Sequence, residues 1–233
     1  MNDWTKRIPE KYKDHLLKVR EQQLQIAKKL ELQKGISLEE VQLVAGFDTA
    51  FDDENNIACS AAVTVDIETL ETVEKQFTYF KPKIPYVPTF LYEREGPGYK
   101  KLFQQIKEEP DVLLFDGNGI LHPFGCGLAS QMGYELKKPT IGVAKKLLLG
   151  TFEGPLKEGG YSEIIHHEQV LGVAFQSLPS PAKPIFISQG NYINLKTAVN
   201  VVRFFTQTQQ FQKKLPLPLF LAHLFAKEKL GKE

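Results

Sequence analysis

Three strand-like segments, separated only by short turns, constrain the fold of this chain more than any other feature. They are "VQLVAGFDTAF" at residues 41–51, "IACSAAVTVDI" at 57–67 and "TVEKQFTYFKP" at 72–82. The acidic and amide residues 52–56 between the first two segments are typical of a turn. Three successive strands with connections this short predict an antiparallel meander.

Strand-like and helical segments alternate in the rest of the chain. Short apolar segments predict strands at residues 111–117, 139–146 and 183–193, and a hairpin at 162–175. Helical periodicity predicts helices at residues 98–109, 127–138, 194–207 and 215–231. An amphipathic helix is also expected over about residues 10–34, with Gly35 as its C-terminal cap. The prediction is therefore one α/β domain over residues 1–233, built on a mixed sheet.

The composition excludes several classes of protein. With 42% hydrophobic and 24% charged residues in a chain of 233, a folded domain with a full core is expected. The formal net charge is only +1, so any site for a polyanion has to be a local basic patch. Candidates for such a patch are Lys81, Lys83, Arg94, Lys145 and Lys146.

The cysteine count and the N-terminus indicate where such a chain would work. Cys59 and Cys126 are too few for a disulfide framework, which favours a reducing compartment. The N-terminal residues are charged where a signal peptide would need an apolar core, and no apolar run approaches membrane-spanning length. We therefore expect a monomer in the cytoplasm, or in the nucleus if the source is eukaryotic, with no membrane partner.

The segment "IPYVPTFLYERE" at residues 84–95 places one tyrosine between two prolines. Because proline fixes its own φ and restricts the residue before it, Pro85 and Pro88 make Tyr86-Val87 a stiff loop. A loop of this kind is poor as a helix and as a central strand. It either forms a structural corner or presents the aromatic ring to a ligand.

Three acidic residues lie at informative positions. Asp48 and Asp116 come at the ends of apolar strand-like segments, and Glu95 follows the proline loop. A carboxylate ending a buried strand is costly to desolvate unless it is paired or binds a metal. Taken alone, Asp116 with Gly117 favours a turn, and Asp48 fits a turn cap as well as a ligand. Adjacent strands would bring both aspartates to one sheet edge, where clustered carboxylates suit Mg²⁺ or Mn²⁺.

Three cationic or titratable side chains have two interpretations each. His122 lies in the glycine-rich segment 116–127. It is either an ordinary loop histidine or a group that transfers a proton or contacts a phosphate. Lys145 ends a strand-like segment, where a lysine usually extends to solvent but could also supply charge to a phosphate. His223 lies among apolar residues of the last helix, which by itself favours a helix–sheet contact.

The motifs "GFDTAF", "PYVPTFLYERE", "DGNGILHP", "PTIGVAKK" and "LPLPLFLAH", in this order and spacing, resemble those of the endonuclease V family. The likeness runs from about Val44 to about Phe225 and leaves the N-terminal helix outside the strongest motifs. Enzymes of this family act on inosine-containing nucleic acid. The resemblance implies a ribonuclease-H-like fold, which agrees with a meander followed by alternating strands and helices.

The resemblance also implies a metal-dependent active site with Mg²⁺, for which Mn²⁺ can substitute. By motif, the metal ligands would be Asp48, Glu95, Asp116 and His223. The assignment of His223 replaces the helix–sheet contact favoured by its surroundings alone. The catalytic groups would be Asp48, Glu95, Asp116, Lys145 and His122.

Tyr86 resembles the family's wedge, the ring that fills the gap left when the damaged base leaves the stack. Flipping a base costs a few kcal/mol of unstacking, and an inserted aromatic ring offsets part of that. The flanking prolines reduce the ordering entropy that insertion would lose. The substrate-binding residues implied by the resemblance are Pro85, Tyr86, Val87, Pro88, Leu91, Arg94, Gly117, Gly119 and Gly127.

The resemblance implies hydrolysis of a phosphodiester 3′ to deoxyinosine or inosine in DNA or RNA, leaving 3′-hydroxyl and 5′-phosphate ends. The chain departs from the commoner family residues at Thr89, Phe124, Gln131 and residues 190–193. The alternatives are another ribonuclease-H-like nuclease and an inosine-binding protein that does not cut. A small-molecule metal hydrolase is disfavoured, since it would not need Tyr86 held between prolines.

Overall fold

The computed structural model describes residues 8–33, 35–208 and 211–232, which form an eight-stranded mixed sheet with helices on both faces. The strands are β1 (Leu43–Asp52), β2 (Ile57–Asp66), β3 (Thr72–Phe80), β4 (Val112–Asp116), β5 (Thr140–Ala144), β6 (Tyr161–His166), β7 (Gln169–Phe175) and β8 (Ile185–Asn191). The helices are α1 (Lys13–Ala27), α2 (Leu91–Phe103), α3 (Leu128–Leu136), α4 (Leu195–Thr206) and α5 (Leu217–Lys229). Among the described residues, no helix is both long and apolar enough to cross a membrane.

The strand order is β3-β2-β1-β4-β5-β8-β7-β6. Strands β1, β2 and β3 pair antiparallel, so the predicted meander is confirmed. Strand β4 pairs parallel with β1, with Phe47 opposite Phe115, and β5 pairs parallel with β4. The next residues along β1 and β4 are Asp48 and Asp116, so this register places the two aspartates side by side at one end of the sheet.

The two faces of the sheet carry separate apolar cores because successive strand residues point to opposite sides. On one face, Val44 of β1 packs with residues of α4 and α5 such as Val199 and Leu219. On the other face, Ala45 packs with residues of α2 and α3 such as Tyr99 and Met132. Strand β1 is therefore buried from both sides, which fixes the position of its acidic end.

Helix α1 is shorter than the predicted helix over residues 10–34. A 3₁₀ turn precedes it, and the α-helix ends at Ala27; Lys34 lies outside the described residues. Beyond the helix, the backbone N–H of Glu31 donates to Asn191 Oδ1 at 2.7 Å, and Glu31 O accepts from the N–H of Tyr192. Tertiary bonds to the end of β8 thus replace the helical bonds that periodicity predicts.

Helix α2 begins earlier than predicted and contains Arg94 and Glu95. The sequence predicts a start at residue 98, whereas the helix spans Leu91–Phe103 with Pro97 in its interior. Proline removes one helical hydrogen bond and normally disfavours such a position. The helix forms nevertheless because Tyr92, Glu95, Tyr99 and Leu102 are buried along one face. Tertiary packing therefore overrides the local proline signal and carries Glu95 to the sheet.

Helix α5 approaches strand β1 closely enough that only a glycine fits between them. A Cβ on Gly46 would lie 2.3 Å from the backbone nitrogen of Leu219 and 2.3 Å from the carbonyl carbon of Pro218. This contact holds the first turn of α5 against β1. It thereby fixes the position along β1 at which His223 of α5 lies beside Asp48.

We expect Gly46→Ala to lower the free energy of unfolding by roughly 1–3 kcal/mol, because α5 has to move away from β1. Chemical denaturation measures the loss. Gly154→Ala is the matched control, since its added Cβ meets no atom closer than 3.7 Å. Equal stability of the two variants would contradict the assignment of Gly46 as the contact that seats α5.

Candidate active site

A cavity of about 390 Å³ opens where β1 and β4 end. It is lined by Asp48, Thr49, Ala50, Phe51, Leu91, Glu95, Asp116, Lys145, His223, Lys227 and Lys232. The three predicted carboxylates therefore come together, along with the predicted lysine and the histidine of the last helix. A cavity of about 440 Å³ beside α4 has no carboxylate in its lining, which is Leu38, Leu70, Asn200, Arg203, Phe204, Gln207 and Thr208.

Each carboxylate in this cavity has a protein partner. Asp48 Oδ2 lies 2.6 Å from Nδ1 of His223, and Asp116 Oδ2 accepts from Lys145 Nζ at 2.5 Å. Glu95 Oε2 accepts from the Tyr99 hydroxyl at 2.8 Å. In the part of the chain that the structure describes, no three His, Cys, Asp or Glu side chains stand as a finished metal site.

Mutual repulsion and burial disfavour the charged forms of two of the carboxylates. Burial, followed by the charge of Asp48, raises the pKa of Glu95 well above the usual 4.5. The same two causes raise the pKa of Asp116 above 3.8, although Lys145 opposes the shift. Burial lowers the pKa of Lys145, but the charge and hydrogen bond of Asp116, together with the charges of Asp48 and Glu95, outweigh burial and the net shift is upward. Burial and the charge of Asp48 together thus disfavour ionisation of Glu95 and Asp116 in this cavity.

The donor set fits a hard divalent cation. Carboxylate oxygens with one imidazole and no thiolate are the ligands that Mg²⁺ and Mn²⁺ accept. Asp48, Glu95, Asp116 and His223 are the residues that could hold such an ion, because all four line the same cavity. A cation there would also remove the repulsion that raises the pKa values of the carboxyl groups.

His122 is not brought to this cavity. Its ring is buried between two loops, where Nδ1 accepts from the backbone N–H of Phe124 at 3.2 Å. That contact assigns the proton to Nε2, which donates to the carbonyl oxygen of Thr89 at 3.0 Å. Burial lowers the pKa of His122 to about 4, so the ring is neutral near pH 7. The geometry gives His122 a contact between loops instead of the predicted contact with water or phosphate.

The proline loop presents the Tyr86 ring to solvent. Tyr86 is 62% exposed, whereas the neighbouring Val87 is only 2% exposed. Val87 packs with Ile84 and Phe90 against residues of α1 in a small apolar cluster. Val87 therefore anchors the loop by its burial. Pro85 and the ring of Tyr86 are the exposed parts of residues 84–90.

The predicted pocket glycines have two different environments. A Cβ on Gly119 would lie 1.8 Å from the carbonyl oxygen of Gln189, and one on Gly127 would lie 2.3 Å from that of Asn118. These two glycines are needed for backbone packing inside the protein. Gly117 instead neighbours Leu91, which lines the cavity. Of the three predicted glycines, Gly117 is the one beside the cavity wall.

Arg94 contacts Phe51, which lines the cavity, and the turn after β1. Its guanidinium group lies 4.0 Å from the ring centre of Phe51, and Nη2 donates to Asp53 Oδ1 at 2.5 Å. Arg94 is only 6% exposed. The side chain therefore ties α2 to the turn after β1, and a direct substrate contact would require it to leave Asp53.

Sequence reasoning missed three residues that belong to the site or support it. Lys227 and Lys232 line the cavity, and Tyr99 holds Glu95. Lys227 could have been found, because it follows His223 by one helical turn and so shares its face. Tyr99 follows Glu95 by the same spacing. The sequence predicts that α2 starts at residue 98, so the prediction does not place Glu95 and Tyr99 on one helix.

Comparison with known proteins identifies relatives over nearly the whole chain. The family model described as Endonuclease V matches residues 24–224. The Endonuclease V of Thermofilum pendens is 42% identical over 221 residues, which are 94% of this chain and 90% of that protein. The crystal structure of the Bacillus subtilis protein has a TM-score of 0.84 and 30% identity, and the match covers 96% of this chain and 93% of that one.

A further solved structure has nucleic acid bound. It is Ciona intestinalis Endonuclease V in complex with a 24mer DNA containing an inosine followed by a ribo-adenosine. Its TM-score is 0.82 at 27% identity, and the match covers 94% of this chain and 98% of that one. The predicted ribonuclease-H-like fold is confirmed by these neighbours. The family model and the relatives together show that the chain belongs to the endonuclease V family of nucleic-acid endonucleases.

Proposed function

We propose that this protein is a divalent-metal-dependent endonuclease that cleaves a nucleic-acid strand 3′ to deoxyinosine or inosine, leaving 3′-hydroxyl and 5′-phosphate ends. The observation that carries the proposal is the single cavity lined by Asp48, Glu95 and Asp116 together with Lys145 and His223. The inosine-containing DNA bound to the Ciona intestinalis relative supports the choice of substrate.

The metal would be Mg²⁺, or Mn²⁺ in its place, held by the three carboxylates with His223. Bound there, it would polarise the scissile phosphate and stabilise the charge on the leaving 3′-oxygen. Because Nδ1 of His223 faces Asp48, a ligand or phosphate contact by this ring would use Nε2. The Tyr99 hydroxyl, which is fully buried, orients Glu95 toward the same space.

Lys145 would act as a fixed positive charge. Its raised pKa keeps the ammonium form, so it can donate hydrogen bonds to a phosphate oxygen or to the attacking water but cannot remove a proton. Lys227 and Lys232, which line the cavity, would bind phosphates of the same strand. The chain thereby has a local basic patch despite a formal net charge of +1.

Base recognition would use the space between the Tyr86 loop and the glycine-rich segment. The exposed Tyr86 ring would fill the gap left by the flipped base. Leu91 and Gly117 would form the wall of the pocket nearest the carboxylates, since both lie at the cavity.

We expect Asp48→Asn and Asp116→Asn to lower the rate of inosine-strand cleavage by about a thousandfold, because a metal ion contributes several kcal/mol of transition-state stabilisation. Cleavage is measured on matched DNA and RNA oligonucleotides with and without one inosine, in Mg²⁺ and in Mn²⁺. Glu54→Gln, in the exposed turn after β1, is the control and should cleave at the parent rate.

Cleavage by folded Asp48→Asn or Asp116→Asn at the parent rate would contradict the proposed metal site. Tight binding of the inosine strands by the parent protein without cleavage in either metal would favour the non-cleaving alternative. Circular dichroism establishes that each variant is folded.

We expect Glu95→Gln to stabilise the metal-free protein near neutral pH. The pKa of Glu95 is higher in the folded protein than in the unfolded chain, so the folded protein binds the Glu95 proton more tightly. The Glu95 carboxyl group therefore lowers the free energy of unfolding as pH rises above 4.5. The gain should be on the order of 1 kcal/mol at about pH 7 and should vanish at about pH 4. Denaturation in the presence of a chelator measures it, with Glu54→Gln as the control.

Added Mg²⁺ should stabilise the parent protein more than Glu95→Gln, since the variant has lost a ligand and a repelling charge. A Glu95→Gln protein less stable than the parent without metal at about pH 7 would contradict the raised pKa of Glu95 in the folded protein.

We expect Tyr86→Ala to weaken binding of inosine-containing strands by roughly tenfold or more, because stacking on one base is worth about 1–3 kcal/mol. Its melting temperature should not change, since the ring is mostly exposed. Tyr161→Ala is the matched control, because Tyr161 is also exposed but lies on the far edge strand β6. Equal loss of affinity in both variants would contradict the wedge.

A further inference from the structure

Helix α1 carries a buried polar side chain for which the proposed function has no use. Gln23 is 1% exposed and belongs to the same buried face of α1 as Leu16 and Val19. An apolar residue would be expected there, because burying an amide without full hydrogen bonding is unfavourable. Its Oε1 indeed has no hydrogen-bond partner among the described residues. The other half of the amide explains why a glutamine stands at this position.

The Gln23 side-chain nitrogen joins two loops that are distant in sequence. Nε2 donates to the carbonyl oxygen of Thr89 at 3.1 Å and to that of Cys126 at 2.9 Å. Thr89 belongs to the loop that presents Tyr86, and Cys126 lies in the glycine-rich segment 116–127 that begins at the cavity. Both amide hydrogens are therefore used, one on each side of the proposed base-binding space.

Thr89 is held in a conformation that it would not adopt alone. Its φ is +73°, which is rare for a β-branched residue and costs on the order of 1–3 kcal/mol. Two side chains hold the carbonyl oxygen of Thr89, because His122 Nε2 also donates to it at 3.0 Å. Gln23 and His122 thus fix the last part of the Tyr86 loop from two directions.

Apolar packing reinforces these hydrogen bonds. Ile84, Val87 and Phe90 of the Tyr86 loop and Phe124 of the glycine-rich segment share one buried cluster with residues of α1. Helix α1 therefore lies beneath both loops. Gln23 is the side chain of α1 that makes a hydrogen bond to each of them.

We propose that Gln23 is a positioning residue that holds the Tyr86 loop and the glycine-rich segment in a fixed relation, so that ring insertion and base capture occur together. This inference rests on the proposed function. These two hydrogen bonds from Gln23 to Thr89 and Cys126 are the clamp. Without the clamp, each loop would have to be ordered during binding, and the affinity for inosine strands would fall. The carboxylates are carried by β1, β4 and α2. The rate of the cleavage step itself should therefore be largely unaffected.

Gln23→Met tests the inference, because it removes both donors and keeps the volume of the side chain. We expect KM for inosine-containing strands to rise roughly tenfold, while the single-turnover rate at saturating substrate stays within about twofold. Gln22→Ala and Gln25→Ala, exposed on the same helix, are the controls and should match the parent protein. A fall in the saturated rate with KM unchanged would overturn the positioning role.

A double-mutant cycle separates positioning from general support of the fold. If Gln23 acts through Tyr86, Gln23→Met should weaken binding much less in a Tyr86→Ala background than in the parent protein. Additive losses of affinity would overturn the inference.

Amide hydrogen exchange tests the clamp without reference to inosine. Gln23→Met should speed exchange in both residues 84–90 and residues 122–127 and leave β1 and β4 unchanged. Unchanged exchange in either loop would overturn the clamp. If Tyr86→Ala alone binds like the parent, the wedge of the proposed function fails, and the exchange result by itself decides whether Gln23 joins the loops.

Discussion

Repulsion among three carboxylates at the end of a buried sheet is the constraint on which the rest of this structure depends. Parallel pairing of β1 with β4 places Asp48 beside Asp116, and α2 brings Glu95 from the opposite face. Burial, followed by the charge of Asp48, raises the pKa values of Glu95 and Asp116, so ionising both beside Asp48 is unfavourable in the protein alone. Proteins retain such groupings where a ligand relieves them, and a divalent cation between the carboxylates would do so. The supporting contacts, Tyr99 to Glu95 and His223 to Asp48, keep each carboxylate at the cavity until then.

The carboxylates and the Tyr86 ring are carried by structural units that are built differently. The carboxylates are carried by strands and helices of the sheet, whereas the Tyr86 ring is carried by a loop that rests on α1. A rigid frame suits catalytic groups, which require exact placement relative to a phosphate. Under the proposed function the Tyr86 ring enters a nucleic acid, and a loop suits such a ring provided that its ordering entropy is reduced beforehand. The prolines, the buried Val87 and the clamp by Gln23 all restrict the same short segment.

Much of the fold and of the acidic site could be predicted from the sequence, because local sequence patterns determine those parts of the structure. The meander, the later strands and α3 to α5 follow from period and turn residues, and Asp116 follows from its place at the end of β4. Asp48 is expected at a strand end, whereas β1 continues past it to Asp52. The early start of α2 could not be predicted, because burial of Tyr92 and Tyr99 overrides the signal of Pro97. His122 was misplaced for a similar reason. Proximity in sequence to Asp116 indicated proximity to the cavity, but the ring turns toward Thr89, a contact between residues far apart in the chain.

The strained conformation of Thr89, one of the departures from the commoner family residues, can be understood from the same contacts. A glycine reaches a φ of +73° without strain, whereas threonine does not, and the Thr89 hydroxyl is also buried without a partner among the described residues. The strained residue persists because Gln23 and His122 both hold its carbonyl oxygen and apolar neighbours hold the loop. A threonine in a fixed left-handed conformation leaves the loop fewer alternative conformations than a glycine would. The strain is therefore consistent with a loop that is kept in one shape for insertion, and the N-terminal helix outside the strongest family motifs supplies the contact that makes this possible.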